Sequence, residues 1–514
     1  MRQFFSRRGT LSRWHPNFEF REGQLQMAEE VESALADKRH LIVEAGTGTG
    51  KTLAYLVPAI QHAVETGETA VVATATLALQ SQIVDRDLPR LAGALEKVLP
   101  RRPTFALLKG RRNYLCLNKI HTGLAEESDE GPQAELFDPF AASAMGRDVQ
   151  RLTAWAEDTD TGDRDDLKPG VPERSWSQVS VSARECVGAV RCQFGTDCFA
   201  ERARAVAAQA DVVVTNHALL AIDAISDTTV LPEHQLLVID EAHELADRVT
   251  SVATAELSAT MLSVAVRRVG RLVSPELVQR LDAASLTFGS AIHDGTPGRM
   301  DHLDEELATY LAALRDAAGA ARAAIDTAPA DPKVAAARKE SAAALTEIAD
   351  TAARILTSFE PAIPDRYDVV WLSHEDNKGT VRAVLRVAPL SVAGLLRARL
   401  FDTATVVLTS ATLTIGGSFD AMAAAWGLPD EAGSWRGLDV GSPFDHAKSG
   451  ILYIAKHLPP PGRDGAGSQA QLDEIAGLIE AAGGRTLGLF SSMRAAKAAA
   501  EAMRARLDTP VLCQ

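Results

Sequence analysis

The chain has 514 residues, too many for one hydrophobic core, so about three or four domains are expected. Its 46% hydrophobic and 24% charged residues are those of a globular protein, and no apolar run approaches the length of a membrane span. A net charge of −15 excludes a surface that coats nucleic acid throughout but leaves room for a narrow basic groove, and five cysteines in so long a chain do not make a disulfide framework.

The N-terminus carries Arg2, Arg7, Arg8 and Arg13 with no apolar segment behind them. That does not read as a secretory signal, and a cytoplasmic location is expected. Residues 20 to 35 place Leu25, Ala28, Val31 and Leu35 at helical spacing, with Arg21 and Gln24 at the helix entrance. The Gln24 amide offers a donor and an acceptor, which match an adenine edge; a polar residue in water is the alternative.

Next comes the apolar run Leu41-Ile42-Val43, then Glu44-Ala45-Gly46-Thr47-Gly48-Thr49-Gly50-Lys51-Thr52, then the helix-forming Leu53-Ala54-Tyr55-Leu56-Val57. A strand, a glycine-rich turn and a helix in this order make a P-loop. The three glycines free backbone N–H groups to curl around phosphate oxygens, where the positive end of the helix also points. Lys51 would reach the β- and γ-phosphates, and Thr52 would place its hydroxyl on Mg²⁺. Ala45 stands where the general pattern has its first glycine, which requires a negative φ there.

Ala70 to Thr74 is a short apolar run suited to a buried parallel strand, and it ends in Thr74-Ala75-Thr76-Leu77-Ala78-Leu79-Gln80. Ligand contacts gather at such strand ends, although a polar helix cap explains the same residues. Phe105 to Leu108 is a third strand candidate and runs into the basic cluster Lys109-Gly110-Arg111-Arg112 and the first cysteine, Cys116. The polar, acidic stretch from about 121 to 180 reads as loop without a core of its own. Cys186, Cys192 and Cys198 follow with five residues between each. Structural zinc sites space paired thiolates more tightly. Four wider-spaced thiolates fit an iron–sulfur cluster, with zinc and unrelated buried thiols as alternatives. Cys513 lies in an apolar run and reads as a buried thiol.

Asp211 to His217 is another strand with a polar end, and Leu236-Leu237-Val238-Ile239 runs into Asp240-Glu241-Ala242-His243. This is what a Walker B strand needs: Asp240 to hold Mg²⁺ directly or through water, Glu241 to orient and deprotonate the attacking water. His243 is placed to sense the γ-phosphate. From about 246 to 365 the composition turns to Ala, Leu, Arg and Glu at helical spacing, which reads as an all-helical insertion with a break at Pro329 and Pro332. Tyr367 to Glu375 and Val381 to Val387 read as a hairpin that returns the chain to the main sheet. Thr405-Val406-Val407-Leu408 leads into Thr409-Ser410-Ala411-Thr412-Leu413, and further strands are expected at Ile451 to Ile454, Thr486 to Phe490 and Pro510 to Cys513.

This ordered set of motifs resembles the iron–sulfur superfamily 2 DNA helicases of the DinG and XPD type. The residues that carry the resemblance are Arg21 and Gln24, Ala45 to Thr52, Thr74 to Gln80, Lys109 to Cys116, the three later cysteines, Asp240 to His243, and Ser410 to Leu413. It implies an α/β fold: a RecA-like P-loop motor domain, with a parallel sheet and helices on both faces, carrying iron–sulfur and all-helical arch insertions, plus the start of a second RecA-like domain. The implied boundaries are 1–108 for the first part of the motor, 109–204 for the iron–sulfur domain, 205–245 for the motor continued, 246–365 for the arch, 366–445 for the motor completed and 446–514 for the second domain.

The implied function is ATP-dependent 5′-to-3′ movement on single-stranded DNA and unwinding of forked or overhang duplexes, in repair or replication stress, by a monomer without membrane contact. The implied cofactors are ATP, Mg²⁺ and a [4Fe–4S] cluster on Cys116, Cys186, Cys192 and Cys198. Thr76, Thr409 and Ser410 become candidates for strand contact or for its coupling to the nucleotide. The resemblance also implies later motifs, a γ-phosphate arginine among them, and none follows Phe490-Ser491-Ser492-Met493. The expectation is therefore a truncated chain that binds ATP and DNA but hydrolyses poorly. Two rivals remain on sequence grounds: a non-catalytic ATP- and DNA-binding fragment, and an RNA-directed DEAH motor.

Overall fold

The computed structural model describes residues 1–14, 18–126, 144–226, 229–325, 332–377, 380–428, 431, 433–459 and 467–513. The chain forms two compact units, Met1–Pro443 and Phe444–Gln514.

The first unit is built on seven parallel strands in the order β11-β1-β10-β5-β2-β4-β3. They are β1 (His40–Glu44), β2 (Ala70–Thr74), β3 (Phe105–Leu107), β4 (Val212–Asn216), β5 (Leu236–Asp240), β10 (Thr405–Ser410) and β11 (Trp435–Asp439). The central strands are apolar at nearly every position because both faces are covered, and alternate side chains enter different cores. Leu41, Val43, Val72, Val212 and Val238 pack beneath the helices Glu22–Asp37 and Lys51–Thr66. Ile42, Val71, Val213, Leu237, Ile239 and Leu408 pack against the helices His217–Ile225, Leu245–Ala253 and Asp420–Trp426. All the strands point the same way, so their carboxyl ends share one edge, and the P-loop, the acidic pair and Thr409–Ser410 lie along it.

The insertion expected to be all-helical is not. Its helices Ala259–Val269, Pro275–Asp294, Glu305–Ala324 and Pro332–Thr357 share a core with a second, antiparallel sheet. That sheet has the order β6-β9-β8-β7, from β6 (Ala255–Ser258), β7 (Gly298–Arg299), β8 (Asp368–Asn377) and β9 (Thr380–Pro389). The β8–β9 hairpin forms as expected but joins this sheet, not the parallel one. The reason is apolar matching: Val370, Leu372, Leu385 and Val387 are buried in the core of the helical insertion. Strands as short as β6 and β7 leave no alternation to read in the sequence. Pro332 opens its helix, and the break expected at Pro329 lies outside the described residues.

The cysteine-bearing stretch also departs from expectation, because it has a core of its own. Tyr114, Leu115, Leu152, Val179 and Phe199 surround Trp176. The Trp176 indole N–H donates to the Arg112 carbonyl at 2.6 Å.

In the second unit the helices Gln469–Ala481 and Met493–Arg504 form, the first with a capping box between Ser468 and Gln471. The strands expected at Ile451 to Ile454, Thr486 to Phe490 and Pro510 to Cys513 do not form. Ile451, Leu487, Leu489 and Leu512 are largely exposed. Strand propensity measures fit to a paired, half-buried surface, and among the described residues these runs have no neighbour to pair with. No helix among the described residues is long and apolar enough to cross a membrane.

Trp176→Ala should remove about 3–5 kcal/mol from the core of the cysteine-bearing stretch. Limited proteolysis should then cut faster within residues 109–204, while nucleotide binding stays unchanged.

Candidate active site

Gly48 and Gly50 take φ of +85° and +84°, the left-handed region where a side chain is strained, and the chain turns through them into the helix that begins at Lys51. A Cβ on Gly50 would lie 2.2 Å from the Gln24 amide nitrogen. That amide donates to the Gly50 carbonyl at 3.0 Å, and the Arg21 guanidinium donates to the Gly48 carbonyl. In this structure the two residues therefore brace the loop. Ala45, fully buried and without a positive φ, donates its N–H to the Ser410 carbonyl at 2.9 Å. Gly46 donates to Gly441 O at 3.0 Å, and the Thr49 hydroxyl donates to Gly46 O at 2.7 Å. Thr47 is exposed at the loop tip, and Lys51 and Thr52 open the helix, where the first-turn N–H groups have no intrahelical acceptor.

Asp240 ends β5 and is 1% exposed. Burial pushes its carboxyl group above the usual range, against the pull of the Tyr55 hydroxyl and the Lys51 charge. The next residue, Glu241, adopts φ +55°, which is rare for a side chain of its size. This turn aims its carboxylate back at the loop. Lys51 Nζ lies 3.4 Å from Glu241 Oε1, and the Ser410 hydroxyl donates to Glu241 Oε2 at 3.1 Å. His243 Nδ1 lies 2.8 Å from Ser410 Oγ and 3.5 Å from Glu241 Oε2. Thr409 pairs in register with Asp240, and its buried hydroxyl oxygen has no hydrogen-bond partner among the described residues. Lys51, Asp240, Glu241, His243, Thr409 and Ser410 are thus brought together. Thr76 is exposed, and its hydroxyl accepts the Leu79 N–H at 3.2 Å, a helix cap.

Three residues outside the motif reading belong to the site. Tyr55 donates to Asp240 Oδ2 at 2.9 Å. His217 Nε2 lies 2.8 Å from the Asp240 carbonyl, and burial pushes its imidazole down to about 4. Glu44 accepts the N–H groups of Leu413 and Thr414 at 2.5 and 2.6 Å and ties the strand before the P-loop to the turn after Ser410. Tyr55 lies four residues after Lys51, on the same helical face, while Glu44 and His217 stand at polar strand ends.

Cys116, Cys186, Cys192 and Cys198 all line one cavity of about 210 Å³, together with Arg111, Tyr114 and Glu201. Ala336, Ala337 and Glu340 of the helix Pro332–Thr357 close one side. None of the four thiols is in a disulfide, and burial pushes the Cys116 thiol up to about 11. Among the described residues, no three His, Cys, Asp or Glu side chains are grouped to hold one metal ion. Arg111 donates to Glu201, and burial together with Arg111 disfavours the charge on Arg204. Cys513, expected to be buried, is exposed, and among the described residues its run pairs with no strand.

A parallel α/β sheet that gathers a lysine-bearing glycine loop, a buried Asp-Glu pair and a serine–histidine bridge at one edge defines the class of nucleotide-driven P-loop motors. Residues 22–99 match the DEAD/DEAH box helicase family model. The chain is 70% identical over 496 residues to the ATP-dependent helicase DinG of Mycobacterium tuberculosis H37Rv, covering 96% of this chain and 74% of that protein. It is 29% identical to the ATP-dependent DNA helicase YoaA of Escherichia coli K12, covering 99% and 77%. A solved XPD helicase chain is similar at a TM-score of 0.46 and 15% identity, covering 95% and 75%. The chain belongs to the DinG family of ATP-dependent DNA helicases.

Burial raises the Glu44 carboxyl group, but the Leu413 and Thr414 N–H groups and the Thr414 hydroxyl outweigh it and hold the group below its ordinary 4.5. A depressed carboxylate stabilises the fold above its unfolded-state value and loses that contribution as pH falls through the folded value. The native chain should therefore lose stability on acidification below about pH 4.5 more steeply than Glu44→Gln, as read by thermal melting across pH.

Proposed function

We propose that the chain converts ATP hydrolysis at the Lys51–Glu241 centre into 5′-to-3′ movement along single-stranded DNA and duplex unwinding, in repair or replication stress. The observation that carries this reading is the continuous contact from Lys51 through Glu241 and Ser410 to His243. The Ala45 and Gly46 N–H groups are already taken by carbonyls, so the phosphates would use the first-turn donors of the helix that begins at Lys51. As Lys51 turns to the incoming phosphates it gives up Glu241, whose carboxylate then takes the proton of the attacking water. Mg²⁺, held by Thr52 and Asp240, would supply charge neutralisation at the β- and γ-oxygens. Ser410 and His243 report the state of Glu241 to the strand end that carries Thr409. Arg21 and Gln24 steady the loop, and the adenine contact read for Gln24 would need its amide to leave Gly50.

We assign Cys116, Cys186, Cys192 and Cys198 to a [4Fe–4S] cluster. A zinc ion needs its sulfur ligands about 2.3 Å from one centre, whereas thiols spread around a cavity of about 210 Å³ suit a group several ångströms across. Half-buried Arg111 and Arg204 nearby favour the negative charge that ligated thiolates bring. On this reading residues 109–204 form the cluster domain, residues 246–365 with the β8–β9 hairpin form the arch, and residues 446–514 belong to a second motor domain.

Glu241→Gln should lower the DNA-stimulated ATPase rate by about 10²–10⁴-fold while ATP binding persists. Normal turnover in that variant would remove Glu241 from the chemistry. Unwinding of a 5′-tailed duplex in preference to a 3′-tailed one tests the direction. Cys192→Ser should lose the brown colour, the bound iron and strand separation, and largely keep nucleotide binding. A colourless variant that still unwinds normally would refute the role given to the cluster.

A further inference from the structure

Tyr55 lies on the first turns of the helix Lys51–Thr66, four residues after Lys51 and three after Thr52, with its ring fully buried. A buried phenol costs free energy unless its hydroxyl finds a partner. Packing alone would be served by phenylalanine. The partner here is the Asp240 carboxylate, with the Tyr55 hydroxyl donating to Oδ2 at 2.9 Å. The other oxygen, Oδ1, accepts the Glu241 N–H at 2.9 Å. Each oxygen thus has one fixed donor, from two different elements, and the plane of the carboxylate cannot turn without breaking a hydrogen bond.

We propose that Tyr55 is a positioning residue of the nucleotide site, whose hydroxyl holds the Asp240 carboxylate in the orientation that receives Mg²⁺ opposite Thr52. The inference rests on the reading of Asp240 as the carboxylate that faces the metal. Because the Tyr55 hydroxyl donates to Asp240 and not to a group of the glycine loop, it governs the Mg²⁺-dependent part of nucleotide affinity and leaves the metal-free part alone. A hydrogen bond to a charged group accounts for a change of about tenfold or more.

The test is equilibrium binding of a fluorescent ATP analogue to the full 514-residue chain, in EDTA and across a Mg²⁺ titration, so that no turnover is needed. Tyr55→Phe should bind the analogue in EDTA as the native chain does and need about tenfold more Mg²⁺ for half-maximal tightening. An unchanged Mg²⁺ requirement overturns the proposal, including when the melting temperature falls, because the hydroxyl would then serve stability alone. Equal weakening with and without Mg²⁺ also overturns it, since the change would lie in the loop and its helix. Asp240→Asn separates the two levels of the argument. If that variant keeps the native Mg²⁺ requirement, the reading of Asp240 fails; if it loses the requirement and Tyr55→Phe does not, only the role of Tyr55 fails.

Discussion

Two consecutive carboxylates at the end of a buried strand must serve different partners, and the backbone at Glu241 is what separates them. In extended geometry Asp240 and Glu241 would point to opposite faces of the sheet, one into each core. The left-handed turn at Glu241 ends the strand after Asp240, which stays 1% exposed, and swings the second carboxylate over the strand end to within 3.4 Å of Lys51. A non-glycine residue in that region costs about 1 kcal/mol or more and persists where the surroundings over-determine it. Here they do: Lys51, Ser410 and His243 converge on the Glu241 carboxylate, and the Asp240 carbonyl on the other side is held by His217.

The order of the strands makes this convergence available. β10 lies between β1 and β5, so the P-loop strand and the acidic strand are not direct neighbours, and Ser410 stands in the gap. Its carbonyl accepts the N–H of Ala45, while its hydroxyl donates to Glu241. One residue is thereby fastened to the loop on one side and to the carboxylate on the other. Glu44 repeats the tie from the opposite direction by holding the Leu413 and Thr414 N–H groups. A shift of the β10 end relative to β1 would break contacts to both the loop and Glu241, so the turn after Ser410 cannot move independently of the nucleotide site.

What was legible in the sequence is what repeats locally. Strand, glycine loop and helix are contiguous in the chain, so the P-loop could be read whole, and the apolar run before Asp240 marked a buried strand. Contacts between distant segments could not be read. Gln24 matched an adenine edge by its chemistry, yet it meets the Gly50 carbonyl, a partner that only the packing of the helix Glu22–Asp37 beside the loop supplies. Thr76 carried the same ambiguity, and its hydroxyl meets the Leu79 N–H, a partner in the helix that follows it. The stretch from 121 to 180 looked like loop, yet Ala144–Asp158 is a helix whose Val149, Leu152 and Ala156, at helical spacing, enter a core completed by Leu115, Trp176 and Phe199 from separate segments. β6 failed for another reason: four residues cannot display an alternation, and only pairing with β9 makes them a strand.

The two insertions, far apart in sequence, share a wall. Ala336, Ala337 and Glu340 line the cavity that holds the four cysteines, and Glu340 sits 3.0 Å from Arg268 within the helical insertion and 3.8 Å from Lys119 on the cysteine side. These are partly exposed ion pairs, each worth little by itself. Their importance lies in where they sit: small alanines from the helix line the cavity, and Glu340 beside them faces cations from both insertions. A second cleft beside it is lined by Arg184 and Arg191 from the cysteine side and by Arg322, Arg338 and Lys339 from the helices, against one carboxylate, Asp350. On a chain of net charge −15 such a concentration of cations is local by construction. The junction of the two insertions thus carries a positive lining on a chain that is acidic as a whole.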